Sequence, residues 1–217
     1  MPPPTLTKRR VLEVALAVFE ESGYRSTSLT VVANELGVTR QALYYHVGSK
    51  GQILAELFDQ MMSMLEDSLV HAQNSTPPAG FLDLLRGHAR VTAQHPALTA
   101  LLLHERPELA RLPSAAAQRR RRCDYVRAFT ERYEAEVASG SLSAANSWIV
   151  VNSLLSATNA LSSWYRGSKS SWESSTSADE IVALLASGFI VAPPASRQSL
   201  GRPPDQGQFR AARQALG

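Results

Sequence analysis

The chain has 217 residues, of which 44% are hydrophobic and 19% charged. That balance supports a folded core and excludes a disordered chain. The formal net charge of +3 is compatible with a polyanionic partner without requiring one. A single cysteine, Cys123, excludes an intrachain disulfide and a cysteine-rich zinc site. Residues 1–5 lack a signal-peptide layout, and no apolar run approaches the ~20 residues of a membrane helix, so a cytoplasmic protein is expected.

The pattern is helical throughout, with no alternating β-branched runs between hairpin turns. Val11, Val14, Ala15, Val18 and Phe19 form one apolar face of a first helix. Leu12 and Leu16 widen it, Thr7 is placed to cap its start, and Gly23 is placed to stop it. A short second helix is expected over residues 29–36, with Ser28 as N-cap and Gly37 at its end. Thr39 then caps a short third helix running to about His46. Two short helices joined at a glycine are the outline of a helix-turn-helix. Ser49 and Gln52 form a capping box that opens a long helix. Ile53, Leu54, Leu57, Phe58, Met61, Met62, Leu65 and Leu69 run down its buried side. Further helices are expected at residues 80–94, 96–104, 114–139, 144–166 and 178–192, with Ser177 and Glu180 as a second capping box. The serine-rich segment 167–176 reads as a mobile loop, and residues 193–217 read as a disordered tail.

The densest chemistry lies between Gly23 and Lys50. Ala33 is small enough for two helices to cross closely, and Gly37 permits a left-handed turn. Val32, Val38, Leu43 and Val47 close a three-helix core with the first helix. The other side chains of the third helix are then free to face outward. Arg40, Gln41, Tyr45 and His46 suit the major groove, where arginine pairs with guanine and glutamine with adenine. Thr39, Tyr44 and Lys50 read as phosphate anchors. The bland alternative is a bundle whose polar residues merely face water, and the ordered motif on either side argues against it.

Residues 7–58 resemble the DNA-binding domain of the TetR family of bacterial regulators. The resemblance rests on Gly23, Tyr24, Thr27, Ser28, Val32, Ala33, Gly37, Val38, Thr39, Leu43, Tyr44, His46, Val47, Ser49 and Lys50. Two positions depart from the family's pattern: Val31 and Gly51 stand where acidic residues are frequent. The resemblance implies DNA contacts from Thr27, Ser28, Thr39, Arg40, Gln41, Ala42, Tyr44, Tyr45, His46 and Lys50. It also implies an all-α homodimer with a helix-turn-helix domain over residues 1–50 and a helical ligand-binding and dimerisation domain over residues 51–192. The last two long helices are expected to pack with their copies as a four-helix bundle. A small-molecule effector would release a palindromic double-stranded operator. Trp164-Tyr165-Arg166-Gly167 resembles a subgroup responding to acyl-coenzyme A thioesters, which implies a lipophilic effector.

Elsewhere the residues leave alternatives open. Trp148, Asn152, Asn159, Trp164 and Tyr165 are candidates for a ligand pocket, or equally for core and dimer interface. Asn152, Ser156 and Asn159 share one helix face, which would line a wet pocket or meet a partner subunit. Arg119 to Arg122 could bind an anion, although four consecutive residues point in four directions and a solvated face is the favoured reading. His71, His88, His95 and His104 form no i, i+4 pair, so no metal is expected. No hydrolase signature, phosphate loop or dinucleotide fingerprint occurs, so neither catalysis nor a cofactor is expected. The two competing classes are a ligand-responsive regulator, as repressor or as activator, and an all-α binding protein or enzyme without a DNA function.

Overall fold

The computed structural model describes residues 6–75, 79–160 and 174–189. The expectations for Trp164, Tyr165, the segment 167–173 and the tail 193–217 lie outside them. The described residues hold ten helices and no strand. No helix among them is long and apolar enough to cross a membrane.

The first three helices make one compact unit. Helix α1 (Lys8–Ser22) starts where the Arg10 amide donates to Thr7 Oγ1 at 3.3 Å, and it ends at Gly23 with φ +80°. Its buried face is Val11, Val14, Ala15, Val18 and Phe19. Helices α2 (Leu29–Glu35) and α3 (Arg40–Val47) are joined through Gly37, whose φ of +66° is a left-handed conformation that a Cβ would disfavour. The Ala42 amide donates to Thr39 Oγ1 at 3.1 Å and fixes the start of α3. Val32, Leu43 and Val47 are fully buried between the helices, and Val38 packs at the edge of that core.

Helix α4 (Lys50–Gln73) begins where the Gln52 amide donates to Ser49 Oγ at 3.0 Å. Only this half of the expected capping box forms, because the Gln52 side chain reaches Glu56 at 3.5 Å instead. Then follow α5 (Phe81–Gln94), α6 (Pro96–His104), α7 (Arg106–Leu109), α8 (Ala115–Ala138), α9 (Ser147–Asn159) and α10 (Ser174–Phe189). Helix α5 is the centre of the larger unit, packed against α4, α8, α9 and α10. Its Phe81 meets Phe129 and Tyr133 edge-to-face, with ring centroids 6.4 and 5.3 Å apart.

Three expectations change. The short helix α7 fills what read as a connection. Helix α9 starts at Ser147, because Asn146 accepts from the Ile149 amide at 3.1 Å, and it ends at Asn159. Helix α10 starts at Ser174, so Ser177 and Glu180 lie inside it and do not open it.

The two units meet along one seam. Helix α1 packs on α6, and Arg25 pairs with Glu105 at 3.6 Å. Leu112 lies over Gly51, where a Cβ would stand 2.8 Å from its Cδ2. The missing acidic residue at position 51 therefore leaves room for the larger unit to sit down on α4.

Candidate DNA-reading surface and ligand cavity

The geometry of α3 follows from its sequence. Leu43 and Val47, four residues apart, turn inward and are fully buried. That leaves Arg40, Gln41, Tyr44 and Tyr45 exposed, with Ala42 and His46 half-buried. Tyr45 is 88% exposed. Its only ring neighbour among the described residues is His46, edge-on at 5.6 Å. Arg40 donates to the Tyr44 hydroxyl at 3.0 Å and lies 5.2 Å from the centre of that ring. Thr39 and Ser28 are exposed at the starts of α3 and α2, and the Ser28 hydroxyl caps nothing. Arg40, Gln41, Tyr44 and Tyr45 thus give α3 a polar and aromatic outer surface.

Two residues expected to contact DNA, Lys50 and Thr27, bond within the unit. The Lys50 ammonium donates to the carbonyls of Tyr24 at 2.9 Å, Arg25 at 3.3 Å and Thr27 at 2.8 Å. It also sits 4.5 Å from the centre of the Tyr24 ring. An ammonium has three donors, and all three are turned inward here, whereas the expected phosphate anchor needs one of them turned out. Thr27 is buried, and its hydroxyl donates to the Gly23 carbonyl at 2.8 Å, closing the turn between α1 and α2. Both residues shape the reading unit from within. Much of the remaining basic charge near the N-terminus is also paired, Lys8 with Glu56 at 2.8 Å and Arg9 and Arg10 with Glu13.

The larger unit holds an open-ended cavity of about 340 Å³ between α4, α5, α6, α7, α8 and α9. Phe58, Met61, Met62, Leu65, Leu102 and Leu155 give it apolar walls. Asn152, Ser156 and Asn159 lie along one side of it, the stripe visible in the sequence. Trp148 does not line it and is 69% exposed: it stands one turn before Asn152 on α9, past the end of the lining. The sequence reading passed over His88, which is 5% exposed and lines the cavity. The Tyr125 hydroxyl donates to His88 Nδ1 at 3.0 Å, and His88 Nε2–H donates to Asn159 Oδ1 at 3.2 Å. Burial pulls the His88 pKa down to about 4, against the opposing hydrogen bond from Asn159. Burial, with a smaller push from Glu66, raises the Tyr125 phenol well above its usual range. Both groups are therefore neutral near pH 7. A signal for His88 was present: it stands on the α5 face that carries Leu84, Leu85, Ala89 and Thr92.

The run Arg119 to Arg122 divides by direction. Arg121 turns to α4 and binds Glu66 at 2.6 Å and Asp59 at 3.3 Å. Arg122 lines the cavity, as does Arg106 of α7. Arg119, Arg120 and Arg122 are exposed, as a solvated face requires, while positions 119 and 122 are three apart and share a side of α8. A second hollow of about 130 Å³ adjoins the cavity there, lined by Phe58, Arg106, Leu109, Gln118, Arg119 and Arg122, among others.

The family model for bacterial regulatory proteins of the tetR family matches residues 11–57. A tetracyclin repressor-like C-terminal domain model matches residues 74–189. The chain is 34% identical over 71 residues to the HTH-type transcriptional regulator AcrR of Shigella flexneri, covering 33% of each chain. The match therefore spans only a third of that relative's length. It is 27% identical over 143 residues to an HTH-type transcriptional repressor of Streptomyces coelicolor, covering 65% of this chain and 72% of that one. The fold is similar to the crystal structure of AibR in complex with isovaleryl coenzyme A and operator DNA, with a TM-score of 0.69 and 22% identity, covering 82% of this chain and 96% of that one. With matched models over both the helix-turn-helix and the larger helical unit, the chain belongs to the TetR family of bacterial transcriptional regulators.

Proposed function

We propose that the protein is a homodimeric repressor that holds a palindromic operator and releases it when a small lipophilic effector fills the cavity. The observation that carries the reading is the outward strip of α3. Arg40, Gln41, Tyr44 and Tyr45 are exposed while Leu43 and Val47 hold the helix rigidly in place. Thr39 and Ser28 flank the strip as phosphate contacts, with Ala42 and His46 at its margins. Action on chromosomal DNA places the protein in the cytoplasm.

Dimerisation through α9 and α10 accounts for Trp148, Ile149 and Leu184, which are 69%, 56% and 71% exposed. Helix α4 is the natural lever. Its first residue clamps the reading unit, and its Phe58, Met61, Met62 and Leu65 line the cavity. An effector that prefers one arrangement of α4 would move the recognition helices out of register with major grooves about 34–36 Å apart. The name of the Streptomyces relative supports repression. The AibR complex, which holds isovaleryl coenzyme A, supports an acyl-coenzyme A thioester or another lipophilic compound as effector.

The test is selection of bound sequences from a random duplex pool at stated salt. Recovery of one palindromic site supports the reading, and recovery of nothing above background, with and without added acyl thioesters, refutes it.

A further inference from the structure

We infer that the small hollow beside the main cavity is an anion-binding subsite, and that the effector is an amphipathic acid. Its apolar part would fill the main cavity, and its anionic oxygen head would lie on Arg106, Arg119, Arg122 and Gln118. This rests on the cavity being the effector site.

Three observations meet at that hollow. Gln118 is 6% exposed, and neither its amide nitrogen nor its amide oxygen has a hydrogen-bond partner among the described residues. A buried amide with both ends unused is costly unless something else engages it. Arg106, Arg119 and Arg122, each exposed to solvent on its other side, line the same space, and none of them carries a carboxylate partner among the described residues. The nearby acids are committed elsewhere: Glu105 to Arg25, Glu108 to Arg111, and Asp59 and Glu66 to Arg121. Among the described residues no carboxylate lines either hollow. Third, Arg106 is held below its ordinary pKa by burial first and by the charge of Arg122 second. Two guanidinium groups that repel each other beside an apolar chamber are stabilised by an anion between them. Guanidinium pairs carboxylate or phosphate oxygens bidentately.

The two hollows share Phe58, Arg106, Leu109 and Arg122 as common walls. A single ligand can therefore span them, chain in one and head in the other. The head would also fall one residue from Glu105, whose partner Arg25 belongs to the DNA-reading unit. Occupancy is thus coupled to the seam between the units.

The test uses the full-length dimer and three probes of one chain length: octanoate, 1-octanol and octanoyl-coenzyme A. Titration calorimetry is run on wild type, Arg106→Gln/Arg122→Gln, Gln118→Leu and Leu155→Trp. Octanoate should bind about tenfold or more tighter than 1-octanol. The double substitution should erase that difference and leave 1-octanol unchanged. Gln118→Leu should weaken octanoate several-fold while the thermal midpoint of the free protein holds or rises, a sign that a purely structural glutamine would not give. If octanoyl-coenzyme A binds tighter than octanoate and also loses affinity in the double variant, the head is a coenzyme phosphate; if octanoate alone depends on the arginines, it is a free carboxylate. Equal binding of octanoate and 1-octanol, abolished by Leu155→Trp, would overturn the anion subsite while leaving the cavity as effector site. Failure of all three probes to bind in any Leu155→Trp-sensitive manner would overturn both.

Discussion

Lys50→Met separates two roles for the residue at the head of α4. The substitution keeps the aliphatic stem and removes the ammonium. It leaves the carbonyls of Tyr24, Arg25 and Thr27 without the donor that stands 2.9, 3.3 and 2.8 Å away. A hydrogen bond from a charged donor contributes about 1.5–3 kcal/mol. Three such bonds share one ammonium, one of them is long, and Lys50 is only half-buried, so water recovers part of the loss. The expected cost is about 2–4 kcal/mol. For a chain of this length that lowers the thermal midpoint by roughly 5–15 °C. Lys50→Arg should fail to rescue, because a planar fork cannot serve three converging carbonyls as a compact ammonium does. Calorimetric melting and a salt series of operator binding should be run together. An unchanged midpoint, with the salt slope reduced by about one phosphate contact, would refute the clamp and restore the phosphate anchor.

His88 gives a pH signature. Its folded pKa of about 4 lies below the unfolded value of 6.5, so the unfolded chain binds the proton first as pH falls. Stability is fully present above pH 6.5 and declines toward pH 4, by about 3 kcal/mol at about 1.4 kcal/mol per pKa unit. His88→Gln should remove that component from the pH dependence of the denaturation midpoint, and identical profiles would contradict the buried neutral imidazole. Arg40→Ala should weaken specific binding by about 1–3 kcal/mol and relax preference at one base pair per half-site, measured by competition among operator variants. Uniform weakening at every position would reassign Arg40 to the backbone. Trp148→Glu should shift the protein toward monomer in sedimentation at micromolar concentration, and an unaltered dimer would place the interface elsewhere.

Local features were legible where the cause was local. Thr7, Thr39 and Ser49 each accept an amide three residues on, and a capping residue before an apolar period shows that directly. Gly23 and Gly37 carry positive φ where the helical patterns stop. The inward faces of α1, α3 and α4 follow from spacing alone. Contacts between distant residues were hidden. Lys50 bonds residues 23 to 26 positions away, and nothing near it marks the ammonium as turned inward. His88 joins partners 37 and 71 residues along the chain, so its own helix showed the burial but not the network. The four-residue helix α7 has no period to read, yet it supplies Arg106. Arg119 to Arg122 looked uniform until neighbouring helices gave each residue a different neighbour.

The clamp also bears on how such a regulator could be recombined. Lys50 is the first residue of α4, yet its bonds run back to the turn between α1 and α2. The helix that carries one wall of the cavity therefore begins as a structural part of the helix-turn-helix unit. A chimera joined just before residue 50 would swap in a foreign residue at the point where three carbonyls await a lysine. A junction two turns further along α4, past Phe58, would carry the clamp with the head it serves. Transplanted specificity should thus survive the later junction and fail at the earlier one, even when every residue that faces DNA is retained.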